Sequence, residues 1–379
     1  MEKRLGIYIH IPFCIRKCAY CDFYSVTQME LRDAYVSALI AQIRSFRAAA
    51  KNHIVDSVYI GGGTPSILSG EEMTRILSAL RMAFRLSDDV EISMEANPGT
   101  LDGEKLAAYR EAGINRLSIG LQSADNAELG KLSRIHTREE FENSFLLARL
   151  EGFQNINIDL MYALPGQTNE KLADTISYVI SLNPEHISFY GLKIEPETPF
   201  GRDARIQRML PDEDTQYHMY LTAAKTLESA GYPQYEISNF ARVGKECRHN
   251  LKYWKCEEYL SFGPAAYSFF DGKMFSYIKD VERYLMNSTD TELLLDEISE
   301  PSKEDLATQF VMVGFRLRRG IDIAEYNARF DDDFEARYGK KLTPFIAGRF
   351  VVKTPEGGYR LSRRGMLISN YILSEILEF

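Results

Sequence analysis

Cysteine is scarce in this sequence, with five residues in 379. That number is odd and too small for a disulfide framework in a chain of this length. Basic residues are also short: Lys and Arg total 45 against 54 Asp and Glu, a net charge of −9. Affinity for a phosphate backbone needs a basic surface, so the net charge argues against a general nucleic-acid binder, a small local basic patch aside, and no nucleic-acid partner is expected. No apolar run is long enough to span a bilayer. Lys3 and Arg4 do precede an apolar stretch over residues 5–13, but His10 and Pro12 interrupt it and bulky Phe13 precedes Cys14. A secretory leader has a longer apolar core and small residues before its cleavage site. The expectation is a soluble, unprocessed, cytoplasmic protein. Internal repeats and low-complexity segments are lacking as well.

What is present is the composition of a globular protein, 45% hydrophobic and 26% charged, long enough for two domains or for one large barrel with an appendage. Between residues 5 and 192, strand-like and helix-like segments alternate. Strands are expected at 5–11, 57–60, 90–96, 116–120, 155–161 and 186–192. Helices are expected at 31–50, 71–84, 102–112, 137–150 and 169–182. Six strands with helical crossovers specify an α/β fold with a parallel sheet and helices outside. A barrel or partial barrel is the natural closure, and a flat doubly wound sheet is the alternative that pattern leaves open. Polar groups gather just after the strand ends, where such folds place their sites. A helix follows at 211–230, then an aromatic-rich stretch at 232–270. After Pro301 come helices at 303–314, after Ile321 and at 342–348. Strands at 350–353 and 359–361 flank a hairpin turn, and Ser362 caps a final helix. This pattern reads as a winged-helix-like α+β module, with a structural or docking role favoured by the net acidity.

Three of the five cysteines, Cys14, Cys18 and Cys21, form a CxxxCxxC array. Thiolates hold iron–sulfur clusters, normally one per iron. Three on one loop leave one iron without a protein ligand, the open position that a catalytic centre needs. The competing reading is zinc with a distant fourth ligand such as Cys247 or His249. Gly61, Gly62, Gly63 and Thr64 follow the second strand, as suits a loop that lets backbone approach a ligand closely.

CxxxCxxC with an aromatic, Tyr20, before the third cysteine resembles the radical SAM superfamily. The resemblance covers about residues 5–200 and implies a partial (β/α)6 barrel. It also implies a [4Fe–4S] cluster on Cys14, Cys18 and Cys21, whose open iron takes the amino and carboxylate groups of S-adenosylmethionine (SAM). Tyr8 to Cys14, Gly61 to Pro65, Glu91 to Glu95, Arg116 to Gln122, Arg134 and Asp159 to Pro165 resemble the oxygen-independent coproporphyrinogen III dehydrogenase group. That resemblance implies SAM contacts by Tyr8, Gly62, Gly63, Thr64, Glu95, Gln122, Arg134 and Asp159. Two departures count against porphyrinogen decarboxylation. The dehydrogenase carries a fourth cysteine where this sequence has Phe23, and a long arm before its cysteines, whereas Cys14 stands near the start.

A third feature is HNxxYW in Cys247, Arg248, His249, Asn250, Leu251, Lys252, Tyr253 and Trp254, the last the single tryptophan of the chain. It is similar to the motif of the heme chaperone branch of that group. His and Cys are common axial iron ligands, and Tyr and Trp offer faces for a flat macrocycle. The resemblance implies that Cys247, His249, Asn250, Tyr253 and Trp254 contact heme outside the SAM pocket. It implies as partners heme, heme-receiving apo-proteins of the respiratory chain, a reductant for the cluster, and transient contact with membrane-bound acceptors. No separate catalytic side chain is assigned. The expected domains are a radical SAM partial barrel at 1–210, a barrel extension and linker carrying HNxxYW at 211–300, and a winged-helix-like domain at 301–379. The alternative function is porphyrinogen oxidative decarboxylation.

Overall fold

The computed structural model describes residues 3–288 and 290–377. Its core is a parallel run of strands in chain order. They are β1 (Lys3–Ile11), β2 (His53–Gly62), β3 (Leu86–Ala96), β4 (Arg116–Gln122), β5 (Ile156–Tyr162) and β6 (His186–Gly191). The crossovers are α1 (Arg32–Ser45), α2 (Gly70–Ala83), α3 (Gly103–Glu111), then α4 (Asn126–Lys131) with α5 (Arg138–Leu150), and α6 (Asn169–Leu182). Helix starts follow local chemistry. Ser69 and Glu72 form a capping box at α2, and Thr137 and Glu140 form another at α5. Leu5, Ile7, Ile9 and Ile11 of β1 are all fully buried, and every residue of β4 is buried, as expected for strands covered on both faces.

The sheet does not close. It is an open eleven-stranded sheet in the order β11-β10-β9-β8-β1-β2-β3-β4-β5-β6-β7, so the barrel is partial. The additional strands are β7 (Asn239–Ala241), β8 (Tyr259–Phe262), β9 (Tyr267–Phe270), β10 (Lys273–Tyr277) and β11 (Leu295–Ser299). β7 pairs antiparallel with β6, while β8 pairs parallel with β1 on the side away from β2. Thus β1 is an interior strand, and the aromatic-rich stretch lies partly in strands. These are short, three to five residues each, which hides them from periodicity. The helix α4, six residues long, is too short for periodicity to reveal.

The C-terminal part has its own apolar core, including Phe310, Tyr326, Phe334, Leu342 and Ile372. It contains helices Lys303–Gly314, Ile323–Phe330 and Lys340–Ala347, and a hairpin of β12 (Val351–Lys353) with β13 (Tyr359–Leu361). The single final helix expected after Ser362 is two, Arg363–Leu367 and Ser369–Ile376, because Ile368 leaves helical geometry at φ −108° and ψ 24°.

One buried side chain ties the added strands to the barrel. Gln42 on α1 is fully buried, and its Oε1 accepts from the Gly263 N–H at 2.9 Å and the Tyr284 hydroxyl at 2.7 Å. Gln42→Leu strands both donors, at roughly 1–3 kcal/mol for each buried group left unpaired. A thermal melt should show a clear loss of stability. A variant that melts with the parent would show that Gln42 does not anchor this edge.

Candidate functional site

At the carboxyl ends of β1 to β5 lies a cavity of about 460 Å³. The loop after β1 brings Cys14, Cys18 and Cys21 to its mouth, all partly exposed. Two backbone bonds shape that loop: Cys14 N–H to Val26 O at 2.9 Å and Cys21 N–H to Cys18 O at 3.2 Å. The thiols feel one another. Burial raises the Cys21 thiol above its ordinary value, and charge on Cys18 and Cys14 raises it further. Yet no three His, Cys, Asp or Glu side chains among the described residues converge on one point where a single metal ion could sit. A tetrahedral zinc needs such convergence. A cluster does not, since each thiolate meets a different iron. The suggested fourth zinc ligands are also remote in character. Cys247 and His249 are fully buried and neither lines this cavity. The donor set fits a cluster held by three thiolates, and neither suggested fourth zinc ligand stands at this cavity.

The glycine loop after β2 serves two ends. Gly63 donates its N–H to Ile11 O, and Thr64 donates to Phe13 O, each at 2.8 Å. A side chain on Gly63 would stand 2.7 Å from Phe13 O and 2.8 Å from Ile11 O, so glycine here permits backbone to lie against the cluster loop. Gly62 has φ +110°, and its N–H donates to Glu95 Oε2 at 3.1 Å. Thr64 Oγ1 reaches Cys14 Sγ at 3.5 Å.

Two acidic side chains line the floor. Glu95 accepts from the Tyr59 hydroxyl at 3.0 Å, and Asp159 accepts from Ser118 at 3.1 Å and from Asn157 at 2.8 Å. Burial, then the neighbouring Asp159, pushes the Glu95 carboxyl up to about 7; burial also raises Asp159. Arg134 stands opposite. One of its terminal nitrogens donates to Asn97 Oδ1 at 2.8 Å and Gly120 O at 3.1 Å, the other approaches Cys18 Sγ at 3.7 Å, and its buried Nε has no partner. Gln122 sits at φ +70°, uncommon for a residue with a side chain, at the end of β4. The wall thus offers carboxylates for hydroxyl or ammonium groups and a guanidinium for a carboxylate.

Of the residues assigned to SAM from sequence, Gly62, Gly63, Thr64, Glu95, Gln122, Arg134 and Asp159 line this cavity together with the three cysteines. Tyr8 does not. It lines a second cavity on the far side of Gly62 and Glu95, and its hydroxyl donates to His10 Nδ1 at 3.1 Å. Burial lowers His10 to about 4, so the ring is neutral, with Nε2–H donating to Tyr24 O at 2.9 Å. Tyr59, Asn97 and Ser118 also line the first cavity and were not assigned from sequence. Asn97 had a signal, since it stands two residues beyond Glu95 at a strand end and donates to Thr64 Oγ1 at 2.9 Å.

The HNxxYW segment, a helix over Arg248–Trp254, does not present one surface. His249 is fully buried, with Nδ1 at 3.1 Å from Ser57 Oγ and Nε2 at 2.8 Å from the Tyr253 hydroxyl. Burial, then nearby Lys252, lowers it to about 3, so it is neutral. Cys247 is fully buried beside Glu91, at 3.6 Å, and burial pushes its thiol up to about 12. Asn250 is half-buried, and its backbone N–H reaches the Cys247 thiol. Trp254 faces the C-terminal part, with the Arg316 guanidinium 5.9 Å from its ring centre. Tyr253 alone of these five lines the second cavity. The five residues expected to contact heme together do not share one surface: burial and internal hydrogen bonds occupy the coordinating atoms of Cys247 and His249.

Gly63→Ala should shift the glycine loop away from the cluster loop and cost roughly 1–3 kcal/mol. Gly130→Ala, on α4 with open space around it, should be neutral or stabilising by up to about 1 kcal/mol. Paired thermal melts and iron analyses check this. Equal behaviour of the two variants would refute the close-approach argument.

Residues 8–179 match the Radical SAM superfamily and residues 302–368 match the HemN C-terminal domain. Among curated relatives, the chain is 38% identical to heme chaperone HemW of Escherichia coli, over 98% of each chain. It is 34% identical to heme chaperone HemW of Haemophilus influenzae, again over 98% of each. It is 33% identical to that of Lactococcus lactis, over 100% of this chain and 98% of the relative. Among solved structures, it is similar to the coproporphyrinogen III oxidase HemN of Escherichia coli, a radical SAM enzyme. The TM-score is 0.87 at 25% identity, over 99% of this chain and 90% of that one. With a radical SAM fold, a three-thiol cavity and near full-length relatives above 30% identity, this chain belongs to the HemW family of the radical SAM superfamily.

Proposed function

We propose that this protein is a heme chaperone that holds a [4Fe–4S] cluster and SAM in the three-thiol cavity and passes heme to apo-proteins. The observation that carries the reading is the juxtaposition of Cys14, Cys18 and Cys21 with Gly62 to Thr64, Glu95, Arg134 and Asp159 around one cavity, in a chain whose near full-length relatives are named heme chaperones. The thiolates would hold the cluster, Arg134 would pair with the carboxylate of SAM, and Glu95 and Asp159 would accept from its hydroxyl or amino groups. When bound and reduced, the cluster supplies the electron that cleaves the sulfonium of SAM. The chain's own part is to position these groups and to limit water at the floor. Heme-receiving apo-proteins, respiratory proteins among them, and a reductant are the partners this reading requires. Membrane-bound acceptors would be met transiently, and among the described residues no helix is long and apolar enough to cross a membrane.

The second reading, porphyrinogen oxidative decarboxylation, draws on the likeness to the HemN structure. Phe23 weighs against it. Where the dehydrogenase carries a fourth cysteine, this side chain is 70% exposed at the mouth of the cavity and offers no thiol.

Anaerobic reconstitution should give about four irons per chain. Replacing Cys14, Cys18 or Cys21 by Ala should abolish the cluster. Replacing Cys256, which is buried in the C-terminal core, should leave iron content intact. A requirement for Cys256 would overturn the ligand assignment. The reconstituted protein, given heme and coproporphyrinogen III in separate incubations, should bind heme stoichiometrically and leave the porphyrinogen unchanged. Turnover of the porphyrinogen would favour the second reading.

A further inference from the structure

We infer that heme, on the chaperone reading above, enters the second cavity, with Tyr253 as the one HNxxYW side chain that touches it. This cavity has a volume of about 630 Å³, within the range of roughly 300–1,000 Å³ that encloses ligands of drug-like size and above. It opens between the cluster loop and the added sheet edge, and it shares Lys17, Asp22, Phe23, Gly62 and Glu95 with the three-thiol cavity.

Its walls suit a flat apolar ring. Tyr8, Tyr24, Tyr253, Tyr259 and Tyr267 line it. Tyr253 and Tyr259 meet edge to face, with ring centres 4.6 Å apart. Tyr8 is backed by Tyr59 and by His249, stacked at 6.4 and 6.5 Å. Such backed rings are rigid faces that cost little entropy on binding. Phe23 and Tyr267, 70% and 42% exposed, extend the apolar surface to the rim. Exposed apolar groups beside a polar floor mark a binding surface.

The rim suits carboxylates. Lys17 and Lys279 line the cavity and are exposed, with Asp22 and Glu95 the acidic side chains that line it beside them. Neither is in an ion pair with another described residue. An aromatic slot with two cations at its edge fits a planar macrocycle that carries two propionates. The hydrogen bond from the Tyr253 hydroxyl to His249 Nε2, with Ser57 on the other ring nitrogen, then gives the motif a clear division of labour. His249 is a positioning residue that fixes the phenol at the wall, and Tyr253 makes the contact.

The test uses the full chain with its cluster reconstituted, and titrates ferric heme and its dimethyl ester. Lys279→Glu and Tyr267→Ser lie outside the three-thiol cavity, so iron content and SAM binding should stay at parent values. Lys279→Glu should weaken binding of the free acid roughly fivefold and abolish any preference for it over the ester. Tyr267→Ser should weaken both ligands, by up to about tenfold. Tyr253→Phe keeps the ring and removes the bond to His249; it should shift the Soret band, and because the buried His249 Nε2 loses its partner the melting midpoint should also fall, so binding is read well below it. If heme binds the parent and all three variants with one affinity and one spectrum, the cavity is not the heme site, although heme binding itself stands. If the parent binds no heme, the chaperone reading fails first.

Discussion

The contact on which the arrangement depends is the close approach of two backbones, Gly63 and Thr64 against Ile11 and Phe13. β1 is an interior strand between β2 and β8, so its end cannot move without disturbing both neighbours. The loop that carries Cys14, Cys18 and Cys21 starts from this fixed end. Glycine at 63 is what lets the loop after β2 bond to it, because any side chain there would meet Phe13 O at 2.7 Å. The same two loops supply both cavities. A ligand on either side therefore rests on one clamp, and the Glu95 carboxylate that receives the Gly62 N–H stands between them.

Below the clamp, buried polar groups run from the cavity floor to the HNxxYW segment. Asp159 is held by Ser118 and Asn157; Asn157 Oδ1 lies 2.6 Å from His186 Nδ1; and His186 Nε2 lies 2.8 Å from the Tyr235 hydroxyl, which accepts from Cys247 N–H at 3.3 Å. Arg116, 2% exposed, lies among these groups. Burial opposes its charge, and the Glu91 side chain nearby offsets this and keeps it protonated. Such a network is stable only when its members are satisfied together. That explains why Cys247 and His249 are enclosed. They complete the floor from below, and their donors and acceptors are already used.

This also shows what could be read in the sequence and what could not. The six parallel strands and their helices followed from periodicity and capping, with ends displaced by a few residues: residues 57–60 became His53–Gly62, for example. Seven of the eight residues expected at SAM stand around one cavity because motifs at strand ends share a physical place even when far apart in sequence. Tyr8 stacks on Tyr59 from the same face of the sheet but stands one strand further toward β8, which places it in the second cavity. The strands β8 to β11 were hidden by their brevity, and the open sheet edge with them. The HNxxYW segment misled for another reason. A residue list with ligand chemistry says nothing about which atoms are already bonded, and a helix of seven residues points its side chains in several directions.

The direction of those side chains carries the last step. Lys252 of the same helix is nearly buried, and its ammonium bonds Asp56 at 2.8 Å and Glu257 at 3.0 Å, which pins the helix to β2. Trp254 is fixed against Arg316, and His249 against Ser57. With three faces of the helix committed to the barrel and the C-terminal part, the remaining face is the one that carries Tyr253. A helix held so firmly cannot turn His249 outward without breaking the Lys252 ion pairs. The rigidity that excludes His249 from direct contact is the same rigidity that makes Tyr253 a fixed wall. It is also why a flat ligand entering beside the cluster loop meets a preformed surface that does not have to be assembled on binding.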